Sequence, residues 1–270
     1  MDCSLWLFVL YLLTGIFSGT MSGLLGVGGG TLIVPSLAYL FEWQQFPQEN
    51  IMHLAIGTSL AVIFISTLRA LYAHRRYLTD FWSIYRHLLL PVIIGTVIGA
   101  IAAHFLHSNV LSLIFGSFVF LVSMKMFLGK ALGHRLTLPG QFGMWTIGLA
   151  IGGKSGLLGV GGGALAIPFL THCNVSIRTA VAVSIGIGIT VSLVGSLTVS
   201  MVSFHVSGLP PWSTGYIYWP AWAGISLGSL LMVPVGAALS HRLPVAILRR
   251  IFAFFLLIIS VHMIASVVLY

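Results

Sequence analysis

The chain has 270 residues, of which 58% are hydrophobic and only 6% charged; soluble domains carry about 25% charged residues, so a water-soluble globular protein is excluded. Twelve Lys and Arg stand against four acids, Asp2, Glu42, Glu49 and Asp80, for a formal net charge of +8. No carboxylate side chain follows Asp80, which excludes acidic Mg²⁺ or Ca²⁺ cages and an Asp/Glu proton relay from the second half and makes an anion the better-suited guest.

The apolar runs are continuous rather than alternating, so they predict spanning helices and not barrel strands. Met1-Asp2-Cys3-Ser4 lacks the basic start of a signal peptide, and the first segment is expected to be retained. In chain order the predicted spans lie near 5–25, 51–72, 87–106, 109–129, 140–158, 178–200, 216–239 and 246–269. Two shorter apolar arms, 29–41 and 162–172, follow glycine clusters. Each arm has about a dozen residues, or ~18 Å of helix, which falls short of a full crossing.

Those glycine clusters belong to a repeat. Residues 22–30 and 155–163 both read Ser-Gly-Leu-Leu-Gly-Val-Gly-Gly-Gly, and each is followed by a proline, Pro35 or Pro168. Farther along, Gly99-Ala100 with His104 and Leu106 is echoed by Gly236-Ala237 with His241 and Leu243. The chain therefore divides into a first repeat at 1–129, a cytoplasmic connecting loop at 130–139 and a second repeat at 140–270, forming one integrated membrane domain.

Basic residues set the expected orientation. If each break and its arm form a hairpin that returns to its starting face, then Arg75, Arg76, Arg86, Lys130, Arg135, Arg178, Arg242, Arg249 and Arg250 all fall on the cytoplasmic side. Glu42, Glu49, His104, His107 and His205 fall outside, and so does the N-terminus. Each half then makes an odd number of crossings, and the halves run oppositely. The expected fold is all-α, a polytopic helical membrane protein with two inverted repeats, each a glycine-broken hairpin plus three spanning helices. A duplicated break of this kind marks transporters whose halves build one site near mid-membrane depth.

At each break the glycines open the helix and the arm restarts it, presenting unpaired N–H groups and the positive end of a helix dipole. Such an end suits an anion, and glycine lets it approach the backbone closely. The candidate substrate-binding residues are Gly28, Gly29, Gly30, Thr31 and Ser22 at the first break, with Lys154, Ser155, Gly161, Gly162 and Gly163 at the second. Thr58, Ser59 and Ser184 join them from matching positions on the spans after the hairpins. Lys154 is the one basic residue beside a break, with snorkelling to the cytoplasmic face as the other reading; Met21 holds its place in the first half. Arg69 reads as a snorkelling residue, and Gly15 and Gly19 as helix-packing positions.

Three enzyme patterns lack their context. Residues 148–155 match the phosphate-loop pattern, and 159–164 fit a dinucleotide fingerprint, but neither follows a soluble strand and no later acid exists for a metal. Gly153-Lys154-Ser155-Gly156 resembles an intramembrane protease nucleophile, yet the bases at hand, His205 and His241, fall in loops on opposite sides. Cys3, Cys173 and the ten histidines show no metal-ligand spacing. No metal, cofactor or nucleic acid is expected as a partner; the bilayer and a small anionic substrate are.

The paired Gly-Leu-Leu-Gly-Val-Gly-Gly-Gly-x-Leu-x-x-Pro segments, the Ala-x-Gly-Thr-Ser-Leu string at 55–60 and Gly-Ala-x-Leu-Ser-His-Arg-Leu-Pro at 236–244 resemble the TauE/SafE family over almost the whole chain. That resemblance implies a plasma-membrane permease exporting sulfite, thiosulfate or an organosulfonate, working by alternating access around the two breaks. A passive anion channel with the same site, and more remotely an intramembrane serine protease, are the alternatives. The second half departs from the pattern, with Ala182-Val183-Ser184 where the first has Gly57-Thr58-Ser59.

Overall fold

The computed structural model describes residues 2–25, 29–74, 81–128, 138–206, 208–239 and 245–269. Gly28, Arg75, Arg76, Lys130, Arg135, His241, Arg242 and most of the expected connecting loop lie outside the described residues. Among the described residues ten helices follow one another: α1 Asp2–Leu25, α2 Gly30–Trp43, α3 Gln48–His74, α4 Phe81–Phe105, α5 Ser108–Leu128, α6 Gln141–Leu158, α7 Gly163–His172, α8 Ile177–Val202, α9 Trp219–Leu239 and α10 Val245–Leu269. Six of the described helices are long and apolar enough to cross a membrane. This is a polytopic helical membrane protein. The predicted span at 216–239 starts late, because β1 Ser213–Thr214 and β2 Ile217–Tyr218 pair in a small antiparallel hairpin first.

Small residues decide which helices meet. Along α1, Gly15 packs on the Ile225 carbonyl, Gly19 on Ser229 and Gly23 on Val233 of α9. A Cβ at Gly19 would stand 2.6 Å from the Ser229 Cα, so the two backbones approach as closely as small-residue faces allow. The ascending register makes α1 and α9 parallel. Gly148 against Pro91 and Gly156 against Thr96 make α4 and α6 parallel in the same way. The first helix of each half thus packs on the fourth helix of the other.

At the two places where equivalent helices touch, they run antiparallel. Gly195 of α8 meets Leu60 of α3, and Gly188 meets Thr67. Ser123 of α5 donates to the Ala253 carbonyl of α10 at 2.7 Å, while Gly116 lies beside Ile264. Helices α3 and α8 form the buried centre: Ile51 to Leu60 and Ala182 to Gly188 are inaccessible without interruption.

The short helices fold back. Gln44, just past α2, donates to the Tyr11 hydroxyl of α1 at 2.6 Å, and Gly29 lies beside Ser18, so α2 returns toward the end where α1 began. Helix α7 leads through a four-residue turn into α8 at the end where α6 began. With these directions, Arg69, Arg86, Lys125, Arg178 and Arg250 all gather at one end of the bundle. Glu42, Glu49, His104, His107 and His205 gather at the other, which we call the hairpin end.

Candidate functional site

Both breaks are built by glycine in a conformation other residues adopt at a cost. Gly29 and Gly162 are the N-caps of α2 and α7 with φ of 67° and 71°, and Gly159 closes α6 with φ of 67°. These left-handed residues reverse the chain within a few positions. Locally, Gly29 O accepts from the N–H groups of Leu32 and Ile33, and Gly162 O from Leu165 and Ala166. The Gly162 and Gly163 N–H groups turn back to Val160 O and Gly161 O. Those of Gly161 and Ala164 find no acceptor among the described residues. That leaves fewer bare amides than three adjacent glycines imply.

The two breaks touch. A Cβ on Gly30 would stand 2.7 Å from the Gly159 carbonyl oxygen and 3.0 Å from the Val160 Cα. Both breaks lie against the central pair: Gly30 meets Ile63 of α3, Gly159 packs on Ile56 of α3, and the Gly161 carbonyl faces Gly188 of α8. The structure therefore sets Gly30, between Gly29 and Thr31, against Gly159 and Val160 of the second break, and places Ser155 beside Gly162, inside the bundle. Ser59 joins them, since its hydroxyl donates to the Gly159 carbonyl at 3.0 Å.

Hydroxyl groups at this junction divide by partner. Thr58 is buried, and its Oγ1 accepts from the N–H of Tyr218 in the hairpin at 3.0 Å, so it serves the loop. Ser22 and Ser184 are buried on α1 and α8. Thr31 Oγ1 and Ser155 Oγ are different: each residue is 1% exposed, and neither oxygen has a hydrogen-bond partner among the described residues. Most buried polar groups are paired, and an unpaired one costs about 1–3 kcal/mol. Two such atoms lie at the first turn of α2 and beside the Gly162 cap of α7, where the Ser155 oxygen comes within 3.7 Å of the position a Cβ would take. A third orphan, Ser226 Oγ, sits on α9 one turn beyond Trp222, whose indole N–H donates to Ala61 O of α3.

Lys154 stands apart from this group. It is exposed on α6, on the stripe of Phe142, Thr146 and Ala150, while its neighbour Ser155 is buried. Sequence reasoning had no signal for that direction, because α6 is apolar on every face. It also passed over Gly159, which lies inside the repeated string and forms the contact between the breaks, and over Ser226 and the hairpin, which carry no pattern.

The hairpin seals one approach. The Tyr216 carbonyl packs on Gly57, the Tyr216 N–H donates to Ser203 Oγ, and Tyr218 stacks edgewise on Tyr11, Phe41 and Phe46. Burial pushes both phenols up from their ordinary range, so they stay neutral. A cavity of about 10 Å³, lined by His53, Ile56, Ala103, His104, Val199 and Tyr216 among others, lies there, with room for about one water. It sits on the hairpin side of Ile56, not between the breaks. Toward the basic end, Phe81 covers Gly186 and the Tyr85 and Thr190 hydroxyls are 2.6 Å apart.

The family model described as sulfite exporter TauE/SafE matches residues 11–263. A "probable membrane transporter protein" of Haemophilus influenzae is 32% identical over 94% of this chain and 97% of its own. The corresponding figures are 30%, 83% and 88% for the probable membrane transporter protein YunE of Bacillus subtilis. For the probable membrane transporter protein MJ0441 of Methanocaldococcus jannaschii they are 26%, 86% and 83%. No solved structure matches the chain. The chain belongs to the sulfite exporter TauE/SafE family and is a membrane transporter.

Proposed function

From that membership and the geometry of the two breaks, we propose that the chain is a secondary transporter that exports a small sulfur-containing anion, sulfite, thiosulfate or an organosulfonate, across the plasma membrane. The anion binds between the breaks, held by N–H groups that the local turns leave without an acceptor among the described residues, those of Gly161 and Ala164, and by the hydroxyls of Thr31 and Ser155. The single observation that carries this reading is the pair of deeply buried hydroxyls without a hydrogen-bond partner among the described residues, Thr31 at the first turn of α2 and Ser155 in the last turn of α6 beside the Gly162 cap of α7. A hydroxyl kept unpaired in the core has a reason when a ligand oxygen is its partner. None of these residues is charged, which suits a guest that must also leave.

The direction of transport follows from charge. The basic end faces the cytoplasm by the positive-inside rule, which leaves the N-terminus outside, and the antiparallel meetings of α3 with α8 and α5 with α10 support two inverted repeats at 1–129 and 140–270. A cytoplasm ~100 mV negative drives each unit of negative charge outward by about 2.3 kcal/mol. Export then needs no coupling ion. Because Gly30 rests against Gly159 and Val160, the breaks must part before a ligand enters, which favours alternating access over a standing channel.

Counterflow in proteoliposomes with sulfite, thiosulfate, sulfonates and small carboxylates tests the reading. Thr31→Val and Ser155→Ala each delete one orphan hydroxyl at nearly constant shape. The apparent affinity for the transported anion is expected to fall about tenfold in each, the worth of a hydrogen bond to a charged group, with saturating flux retained and stability equal or higher. Unchanged affinity in both variants refutes the site.

A further inference from the structure

One buried titratable side chain beyond the breaks sits in a geometry that neither of its neutral forms satisfies. His53, near the start of α3, is 6% exposed. Its Nδ1 is 3.0 Å from the Glu49 carbonyl, and its Nε2 is 3.1 Å from the carbonyls of both Ala103 and Leu106. A carbonyl oxygen only accepts, and a neutral imidazole has one N–H and one lone pair. In either neutral tautomer a ring lone pair therefore confronts a carbonyl oxygen. Only the imidazolium donates at both nitrogens.

Three further features favour the cation. Ala103 and Leu106 mark the C-terminal end of α4, the negative end of its dipole. The Tyr216 ring lies against the imidazole with centroids 4.9 Å apart, offering its electron-rich face to a positive charge. The repeat supplies the third: with Ser59 set on Ser184, His53 falls on Arg178, so the second half places a permanent cation at the same position. Burial opposes the charge.

The titratable groups around the ring are few. Glu49, on the same helix, is exposed. From α4, His104 places Nδ1 3.3 Å from the Tyr216 hydroxyl. The α4–α5 connection brings the exposed His107, α5 brings only the neutral Ser108, which accepts from Met52 N–H, and the α8–α9 connection brings Tyr216 and the exposed His205.

We propose that His53 is a proton-binding site that holds the hairpin end of the transport path closed. Protonated, it ties the start of α3 to the end of α4 and seats Tyr216, whose carbonyl packs on Gly57. The small cavity beside it shares Ile56 with the second break, since Gly159 rests on the other side of that residue. When the proton passes to water, a lone pair is left facing a carbonyl oxygen, the junction loosens and the hairpin is released from Gly57 and Thr58. The flux consequences rest on the transport reading; the protonation state does not.

The test has two arms on the intact protein. In nanodiscs, histidine labelled with ¹⁵N reports the ring directly, the His53 signal being the one lost in His53→Gln; both nitrogens are expected to carry protons at about pH 5, and a neutral ring there overturns the proposal. In proteoliposomes, counterflow of an alkanesulfonate, which stays a monoanion throughout, is followed from about pH 5 to pH 8. Wild-type flux is expected to rise at least ~fivefold with pH. His53→Gln is expected to be flat and high, and His53→Arg flat and low. A wild-type pH response retained in either variant overturns the proposal, so His53→Arg decides if His53→Gln fails to fold. Should the wild type move no anion at any pH, the transport reading falls and the nitrogen signals still decide the proton site.

Discussion

Replacing Gly30 by alanine inserts one methyl group where the two breaks meet. Its carbon would stand 2.7 Å from the Gly159 carbonyl oxygen, 2.7 Å from Ile63 Cδ1 and 3.0 Å from the Val160 Cα. The isoleucine can rotate, but two of the three atoms are backbone, held by the left-handed Gly159 and by the Ser59 hydroxyl on its carbonyl. Overpacking by one methyl group costs about 1–3 kcal/mol. The cost falls on the closed arrangement alone, so it shifts the balance toward parted breaks by about 5-fold to 150-fold at ~1.4 kcal/mol per decade. Gly153→Ala is the matched control. It adds the same methyl 3.6 Å from the Gly95 carbonyl, an ordinary contact, and gains up to ~1 kcal/mol of helix propensity. Chemical unfolding in detergent and cysteine accessibility at the breaks, measured on both variants, read the difference. Gly30→Ala is expected to be less stable and more accessible, Gly153→Ala as stable as wild type or more so. If the two variants are indistinguishable, the breaks do not meet as described.

Gly29→Ala and Gly162→Ala force a side chain into left-handed backbone and are each expected to lose about 1–2 kcal/mol of stability, visible as a lower unfolding midpoint; an unchanged midpoint contradicts the cap geometry. Ser59→Ala leaves the Gly159 carbonyl without its donor and is expected to cost about 1–3 kcal/mol, whereas Ser226→Ala, which removes an orphan, is expected to be neutral or stabilising in the same measurement.

Much of this was legible in the sequence because it rests on local chemistry. Residues 22–30 and 155–163 announced two breaks, since clustered glycine interrupts a helix wherever it falls. The spacing of Gly15 and Gly19 announced a face for close packing, which α9 fills. The sequence was silent where the answer lies in tertiary partners. Thr58, Ser59 and Thr31 are alike in kind, yet the hairpin uses the first, a break carbonyl the second, and nothing among the described residues the third. Lys154 was expected beside the substrate because it is the one basic residue next to a glycine break. One position along a helix turns a side chain by about 100°, and in an all-apolar segment no amphipathic pattern tells which way the bundle lies.

The departure of the second half from the first at Ala182-Val183-Ser184 has a physical explanation in the hairpin. The pairing of helices is closely two-fold: α1 on α9 matches α6 on α4, and α3 on α9 matches α8 on α4. The connections are not. Residues 203–218 link α8 to α9 with sixteen positions, while 75–80 link α3 to α4 with six. The longer connection reaches back to α3, where Gly57 admits the Tyr216 carbonyl and Thr58 accepts the Tyr218 N–H. At the matching places on α8, Ala182 and Val183 offer neither the gap nor the hydroxyl. Glycine and threonine are thus required on α3 by the loop, and only the serine, Ser59 or Ser184, remains common to both halves. On the proposed reading the ligand-facing part of the repeat is narrower than the sequence motif: it is the glycine breaks with the Thr31 and Ser155 hydroxyls, and the hairpin closes one end. A protein closed differently at its two ends needs a separate trigger for each, and a protonated histidine at the plugged end supplies one of them.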